Sequence, residues 1–402
     1  MRILIATPHF YPESFKCNDL AFELQRRGHD VTVMTAIPDY PKGKFFEEYG
    51  IFKKRKEVIN GVKVHRSLII PRGKGSNSRL ILNYISYTFF SILRGIRFAF
   101  GTRFDMVFVF QLSPVMVGIP ATIIKKKQKI PMLFCVQDLW PESLSSAGGI
   151  KNKLILKTFG KLTTYLYKNS NKILISSEGF RNSITKKGDF NDKIRFFPNW
   201  IDKIDKSIPD NCCLPKLPDG FIVMYAGNIG DAQDIQAIIK SAELLRDNEK
   251  IKFVFLGDGR MKGFLVNEIQ RKDLGKTVSY MGRYPLETMP YFLSKANVLL
   301  LSLKDTEIFS LTVPSRLQAF MAAGKPVVGM INGEGAEVIK KANCGFSVSA
   351  GDSNGLADMI VKMAQMNKDK LEELGENGMK FAIAHYDFNK SIDYLEELME
   401  GI

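Results

Sequence analysis

Along this chain, short continuous apolar blocks alternate with longer stretches spaced for helices. Arg2 to Thr7 reads as a buried strand, Leu20, Phe22 and Leu24 mark a helix that stops near Gly28, and His29 to Ala36 alternates into a second strand. Asn18 or Asp19 is expected to cap that helix, which completes a right-handed βαβ unit. Asp105–Gln111, Pro131–Leu139 and Lys172–Ser177 continue the parallel series, giving a doubly wound first domain. Ile201 to Asp219, with Pro209, Pro215 and Pro218, reads as a linker. A second series follows: Phe221–Ala226, Lys252–Leu256, Val278–Met281, Val298–Leu303 and Pro326–Ile331. The class is α/β, and a chain of 402 residues is expected to form two such domains.

Nearly every strand of the second series ends in glycine or a polar loop: Gly227 to Gly230, Gly257 to Gly259, Gly282 with Arg283, and Asn332 to Gly335. Loops at the carboxyl ends of parallel strands are where open α/β sheets bind ligands, and glycines such as Gly333 and Gly335 let a ligand approach the backbone. The central stretch is DTEIFSLTVPSRLQAFMAAGKPVVGMINGEGAE, Asp305 to Glu337. The amides of Gly227, Asn228 and Gly230 are candidates to cradle a diphosphate, helped by the helix opening near Ser315 and by Arg316. Arg283 and Tyr284 are candidates to bracket a base. No GxxxxGK[ST] loop is present, which disfavours triphosphate hydrolysis, and no GxGxxG follows the first strand. Lys16 and Asn18 are phosphate candidates in the first domain. Asp138 or Glu142 is placed to act as a base or to steady a developing cation, a helix cap being the alternative for Asp138.

Residues 37–78 form a long basic insertion, followed by an apolar helix over Ser78–Phe100. Arg79, Asn83, Ser86, Arg94 and Arg97 fall on one narrow face of it, and its uncharged part, Leu80–Leu93, is too short to span a bilayer. It fits either an interfacial or acyl-chain-binding helix or an internal helix under the sheet. Charge sharpens the choice: residues 1–200 hold 33 Lys and Arg against 14 Asp and Glu, while the remainder is slightly acidic. A basic half suits nucleic acid, an anionic membrane or a phosphorylated substrate. Five cysteines without metal-ligand spacing and four histidines make a zinc site improbable and suggest a reducing compartment. A strand directly after Met1 is not the pattern of a signal peptide.

The words GHDVTVMT, IPDYPKG, QDLWPES, YAGNIGDAQDI, LGDGRM and VPSRLQAFMAAGKPVVGMINGEGAEVI together resemble the retaining family-4 glycosyltransferases of the GT-B fold. DLWPES and VPSRLQAFMAAGKPVV with NGEG look like the bacterial N-acetyl-L-fucosamine transferases of O-antigen and capsule assembly. The resemblance implies two Rossmann-like doubly wound domains facing a central cleft. Residues 1–201 would bind the acceptor and 202–385 the nucleotide sugar, with a C-terminal helix at about 386–402 returning to the first domain. It implies a UDP-sugar donor, an undecaprenyl-diphosphate-linked glycan acceptor, no metal and no cofactor. Nucleic acid is not a partner on this reading, and the chain is expected to sit peripherally, through its N-terminal domain, at the cytoplasmic face of the membrane.

The chain departs from that family at a glutamate pair, whose positions hold Leu311 and Ala319, and at a basic pair near Asn228 and Gln233. Arg316, Arg283 and Arg260 are candidates to replace the cations, and Glu334 or Glu337 to meet sugar hydroxyls. Asp138 and Glu334 are the candidate catalytic residues. Two rival readings stand beside this one: a GT-B epimerase acting on UDP-N-acetyl sugars, and a non-catalytic protein binding membrane or nucleic acid through its basic half.

Overall fold

The computed structural model describes residues 1–73, 76–146, 150, 152–201 and 214–402. Most of the expected linker, with Cys212 and Cys213, lies outside them. Two compact units result, Met1–Pro198 with Ser391–Ile402, and Asn199–Lys390; the sequence reading divides the chain at 201 and returns it at about 386. Trp200 belongs with the second unit because its ring lies 5.2 Å from that of Phe388, and the Ile201 N–H donates to the Tyr386 carbonyl.

The first unit is built on β1 (Arg2–Ala6), β2 (Asp30–Ala36), β3 (Lys56–Ile59), β4 (Val62–Ser67), β5 (Met106–Gln111), β6 (Met132–Val136), β7 (Lys172–Ile175) and β8 (Ile194–Phe196). Their order is β3-β4-β2-β1-β5-β6-β7-β8, with β3 and β4 antiparallel and the other pairs parallel. Strand order reverses between β1 and β5, and crevices for ligands open at such points. The β3–β4 hairpin corrects the reading of residues 37–78 as insertion without strands. Asn60 and Gly61, with φ of 49° and 83°, make its turn, and Ile59 faces Val62. Its fully buried Arg66 donates to Glu57 at 2.5 Å and to the Tyr11 carbonyl at 2.7 Å.

Helix α1 (Lys16–Arg26) starts earlier than expected, with Phe15 as its N-cap, so Asn18 and Asp19 lie inside its first turns and not at the N-cap position. Helix α2 (Asn77–Gly101) orders the expected pattern by turning its polar edge inward. Asn83 donates to Asp39 at 3.2 Å and to the Ile70 carbonyl at 2.7 Å. Ser86 accepts the Ile70 N–H at 2.9 Å, and Arg94 donates to the Arg66 carbonyl at 2.8 Å. Helix α3 (Gly118–Gln128) packs beside it, with Pro120 against Gly95. One side of α2 is thus internal, while on the other Leu82, Ile85, Phe89, Leu93, Ile96 and Phe100 remain exposed as a stripe. Among the described residues no helix is long and apolar enough to cross a membrane.

The second unit holds β9 (Phe221–Ala226), β10 (Ile251–Leu256), β11 (Val278–Gly282), β12 (Val298–Ser302), β13 (Val327–Met330) and β14 (Gly345–Val348), all parallel, in the order β11-β10-β9-β12-β13-β14. Period-two alternation gives each face its own apolar layer: Met224, Val254, Leu299 and Leu301 on one, Val223, Phe253, Val298 and Leu300 on the other. Here the order reverses between β9 and β12, which brings the glycine loop after β9 beside the loop that leads to Ser315.

Candidate functional site

In the second unit, loops from separate strands are laced together along one edge of the sheet. The Gly257 N–H donates to the Gly282 carbonyl at 2.8 Å, Ile229 N–H to Asp258 at 2.8 Å, and Lys304 N–H to Ala232 at 2.9 Å. Lys304 Nζ pairs with Asp231 at 2.6 Å, and Asn332 bridges Asp305 and Ala350 at 2.9 and 3.0 Å. The glycines serve this lacing first: a Cβ on Gly257 would lie 1.8 Å from the Gly227 carbonyl oxygen, and one on Gly333 would lie 2.0 Å from that of Ser310.

Arg316, in the first turn of the helix Ser315–Ala322, reaches back to β9. Its Nη1 donates to the Tyr225 hydroxyl at 2.8 Å, its guanidinium lies 5.2 Å from that ring, and its stem passes Gly227. Tyr225 in turn donates to the Asn228 carbonyl, and burial holds its own hydroxyl protonated above the usual range. Arg316, Tyr225, Gly227 and Asn228 are thereby brought together at the strand-order reversal. The three-amide cradle needs correction, however. The Gly227 and Gly230 N–H groups are spent on the Leu256 carbonyl and on Gln233 Oε1, which leaves Asn228 of the three. Arg260 and Arg283 are exposed on the neighbouring loops, and Ser315 is exposed at the start of its helix. The Tyr284 ring is half-buried and packs onto Phe292, 4.6 Å away. Glu334 and Glu337 occupy the first turn of the helix Glu334–Lys341, Glu334 half-buried and Glu337 exposed, where the helix dipole favours acidic residues. Gly335 and Asn332 line a small cavity with Lys304, Phe309, Ser310 and Pro314.

On the loop after β6 in the first unit, Asp138 is a satisfied carboxylate. It accepts from the Ser113 and Ser143 hydroxyls and from Trp140 Nε1 at 3.3 Å, while burial pushes its pKa up. A carboxylate held this way orients its own loop, which weakens the expected role as base. Burial also raises Glu142, but Lys187 at 2.5 Å and Ser183 at 2.6 Å outweigh it and hold the group below its usual value. Asn18 is likewise committed, its Nδ2 donating to the Glu13 carbonyl at 2.6 Å; half-buried Lys16 opens α1 beside it.

The sequence reading passed over a polar cluster in this unit. Buried His9, Glu13 and Asp39 follow β1 and β2, and Arg72 follows β4. His9 Nδ1 lies 2.7 Å from Glu13 Oε2, and Arg72 Nη2 lies 2.6 Å from His9 Nε2. Their ligand atoms, all within 4.8 Å, have the composition of a divalent-cation set. The Arg72 guanidinium already supplies the cation there, and Asp39 accepts the Arg72 main-chain N–H at 2.8 Å. A histidine and a glutamate four residues apart after a strand are visible in sequence; their convergence with Arg72, 63 residues away from His9, is not.

Residues 214–381 match the family model described as glycosyl transferases group 1, and residues 17–203 match that of glycosyltransferase family 4. WbjE of Pseudomonas aeruginosa, named as a glycosyltransferase, is 22% identical over 310 residues, covering 74% of this chain and 76% of its own. WcaI of Escherichia coli K12, named for colanic acid biosynthesis, is 23% identical over 340 residues, covering 81% and 82%. HepE of Anabaena, solved in complex with UDP, superposes with a TM-score of 0.72 at 13% identity, covering 100% of both chains. With one glycosyltransferase model matched in each half and a two-unit fold shared end to end with such enzymes, the chain belongs to the glycosyltransferases of GT-B fold.

Proposed function

We propose that this chain transfers a sugar from a UDP-sugar to a lipid-diphosphate-linked glycan during surface polysaccharide assembly, with anomeric retention and without a metal. The observation that carries the proposal is the loop edge of the second unit, where Arg316 lies against Gly227 and Tyr225 at the strand-order reversal. That is the position from which a guanidinium and a helix N-terminus stabilise a departing diphosphate. Structural neighbours solved with UDP and with UDP-glucose support the choice of donor nucleotide. WcaI's name supports polysaccharide as the product class. Glu334, beside Gly333 and Gly335, would meet the sugar, and the resemblance points to an N-acetylated deoxyhexosamine such as N-acetyl-L-fucosamine.

The acceptor falls to the first unit, at the inner face of the cytoplasmic membrane. A strongly basic half and the outward apolar stripe of α2 suit a peripheral seat on an anionic bilayer. Lys127 lies over the ring of Phe100 at 4.5 Å, placing a cation at the end of that stripe. The test is a panel of UDP-sugars with a lipid-diphosphate disaccharide, read by mass and then by NMR for the new anomeric configuration. Transfer from one donor supports the proposal. A donor altered with no acceptor present would instead indicate an epimerase, and no turnover with any donor would overturn the proposal.

A further inference from the structure

We infer that Arg55, Arg94 and Arg97 form a binding site for a phosphate group, and that the headgroup of an anionic phospholipid supplies it. The headgroup source rests on the membrane seat proposed for the first unit; the phosphate site itself does not.

The cluster is built around one main-chain oxygen. Arg94 Nη2 and Arg55 Nε each donate to the Arg66 carbonyl at 2.8 Å, so the two nitrogens stand at most 5.6 Å apart, twice that distance. Arg55 directly precedes β3, Arg94 belongs to α2, and Arg97 follows on the same edge of that helix three residues later. Arg97 bears electrostatically on both Arg94 and His65, and Lys56 and Lys63 bear on His65 as well. Positive charge therefore converges where β4 meets α2.

No negative charge answers it. Among the described residues no carboxylate pairs with Arg55, Arg94 or Arg97, and Glu57 of β3 is taken by Arg66. The shared carbonyl accepts from two guanidinia but carries no net charge to offset theirs. Arg94 Nε is buried and donates to nothing, and His65 Nδ1 is buried without a partner too. Burial, then Arg55 and Arg97, pull Arg94 down to about 10, while burial, then Arg94, pulls His65 down to about 4. Arg94 thus stays charged near neutral pH in a place where a half-buried cation is costly until an anion joins it. Planar guanidinium forks match phosphate oxygens in geometry as well as in charge, and a phosphate has more acceptor oxygens to share among them than a carboxylate has.

The surroundings favour a lipid as the source of that phosphate. Arg55 Nη1 donates to the Ile51 carbonyl at 3.2 Å, which ties to the cluster a turn carrying exposed Ile51 and Phe52, the latter 97% exposed. Lys53 and Lys54 follow in sequence. On α2, the exposed Arg97 lies beside Leu93, Ile96 and Phe100 of the apolar stripe. Cations with apolar side chains on both flanks suit a headgroup whose acyl chains continue past it.

The test uses the full chain with two probes, inorganic phosphate and phosphatidylglycerol vesicles. With phosphate, the ring signals of His65, assigned by their loss in His65→Gln, should shift to saturation in the wild type and stay fixed in Arg94→Gln. With vesicles, Arg94→Gln should bind about tenfold more weakly in sedimentation. Arg94→Lys, which keeps the charge but not the fork, should bind about threefold more weakly. Diffuse attraction to the basic half would instead leave Arg94→Lys at the wild-type level. His65 signals unmoved by phosphate, together with wild-type vesicle binding in Arg94→Gln, would overturn the proposal. Signals that move with phosphate while vesicle binding ignores Arg94 would overturn the headgroup as source and support a soluble phosphate compound in its place. If Arg94→Gln fails to fold, as its melting would show, Arg94→Lys and the wild-type phosphate titration decide. A wild-type chain that sediments with no vesicle would overturn the membrane seat, and the phosphate titration would still judge the site, which separates the two failures.

Discussion

The exposed face of α2 gives a prediction whose size can be worked out. Ile85, Phe89 and Leu93 are 59%, 58% and 51% exposed and successive on one stripe. Fully burying such a side chain is worth about 1.5–3 kcal/mol, and roughly half of each remains for a bilayer to cover, so each contributes about 1 kcal/mol to membrane seating. Replacing all three by Ser should cost about 3 kcal/mol, or roughly 100-fold in partitioning onto anionic vesicles. The fold should lose little, because surface changes are usually within about 0.5 kcal/mol each. Sedimentation with phosphatidylglycerol vesicles measures the first quantity and thermal melting the second. The basic contribution should weaken with added salt while the apolar one persists. Unchanged sedimentation would refute the membrane role of the stripe, and a collapse in melting temperature would show that these residues hold the unit together.

Three further outcomes are expected. Arg316→Ala should weaken UDP binding by about 1.5–3 kcal/mol, roughly 10- to 150-fold by calorimetry, at little cost to folding, since Tyr225 keeps its bond to the Asn228 carbonyl. Gly257→Ala, at φ 135° and with its Cβ directed at the Gly227 carbonyl, should destabilise the second unit by about 2–4 kcal/mol in denaturant titrations. His65 is pulled down to about 4 by burial, then by Arg94 and Lys56, and its Nδ1 is buried without a partner. Its folded value lies below its unfolded one, so the unfolded chain binds the proton more tightly. Stability should be whole above about pH 6.5 and fall towards pH 4, by about 1–2 kcal/mol after discounting for partial exposure. His65→Gln should flatten that slope in urea titrations between those pH values.

Much of the fold was legible because buried parallel strands announce themselves. Blocks such as Met106–Gln111 and Val298–Ser302 are apolar up to their last residue, the pattern of a strand buried on both faces. The β3–β4 hairpin was missed although Asn60–Gly61 is a strong turn signal, because its strands VKVHRS and KEVI are charged and KEVI is the edge strand of the sheet. For α2 the helix was legible but its orientation was not. Hydrophobicity alone would send Phe89 inward, yet Asn83 and Ser86 are drawn in by Asp39 and the Ile70 backbone, partners that no local pattern reveals. The same limit applies at the sites. Arg316 and the glycine loops stood out, but a sequence does not tell whether an amide such as that of Gly230 is free or spent on Gln233. Nor does it show that Asp138 is saturated by Ser113, Ser143 and Trp140.

Hydrogen exchange of the full-length protein, with and without UDP, tests most directly whether the loop edge of the second unit is one nucleotide seat. Slowed exchange should appear together in the segments around Asn228, Asp258, Lys304 to Arg316 and Asn332 to Glu337, with the opposite edge of that sheet unchanged. Binding of UDP that leaves those segments exchanging at their original rates would contradict the account.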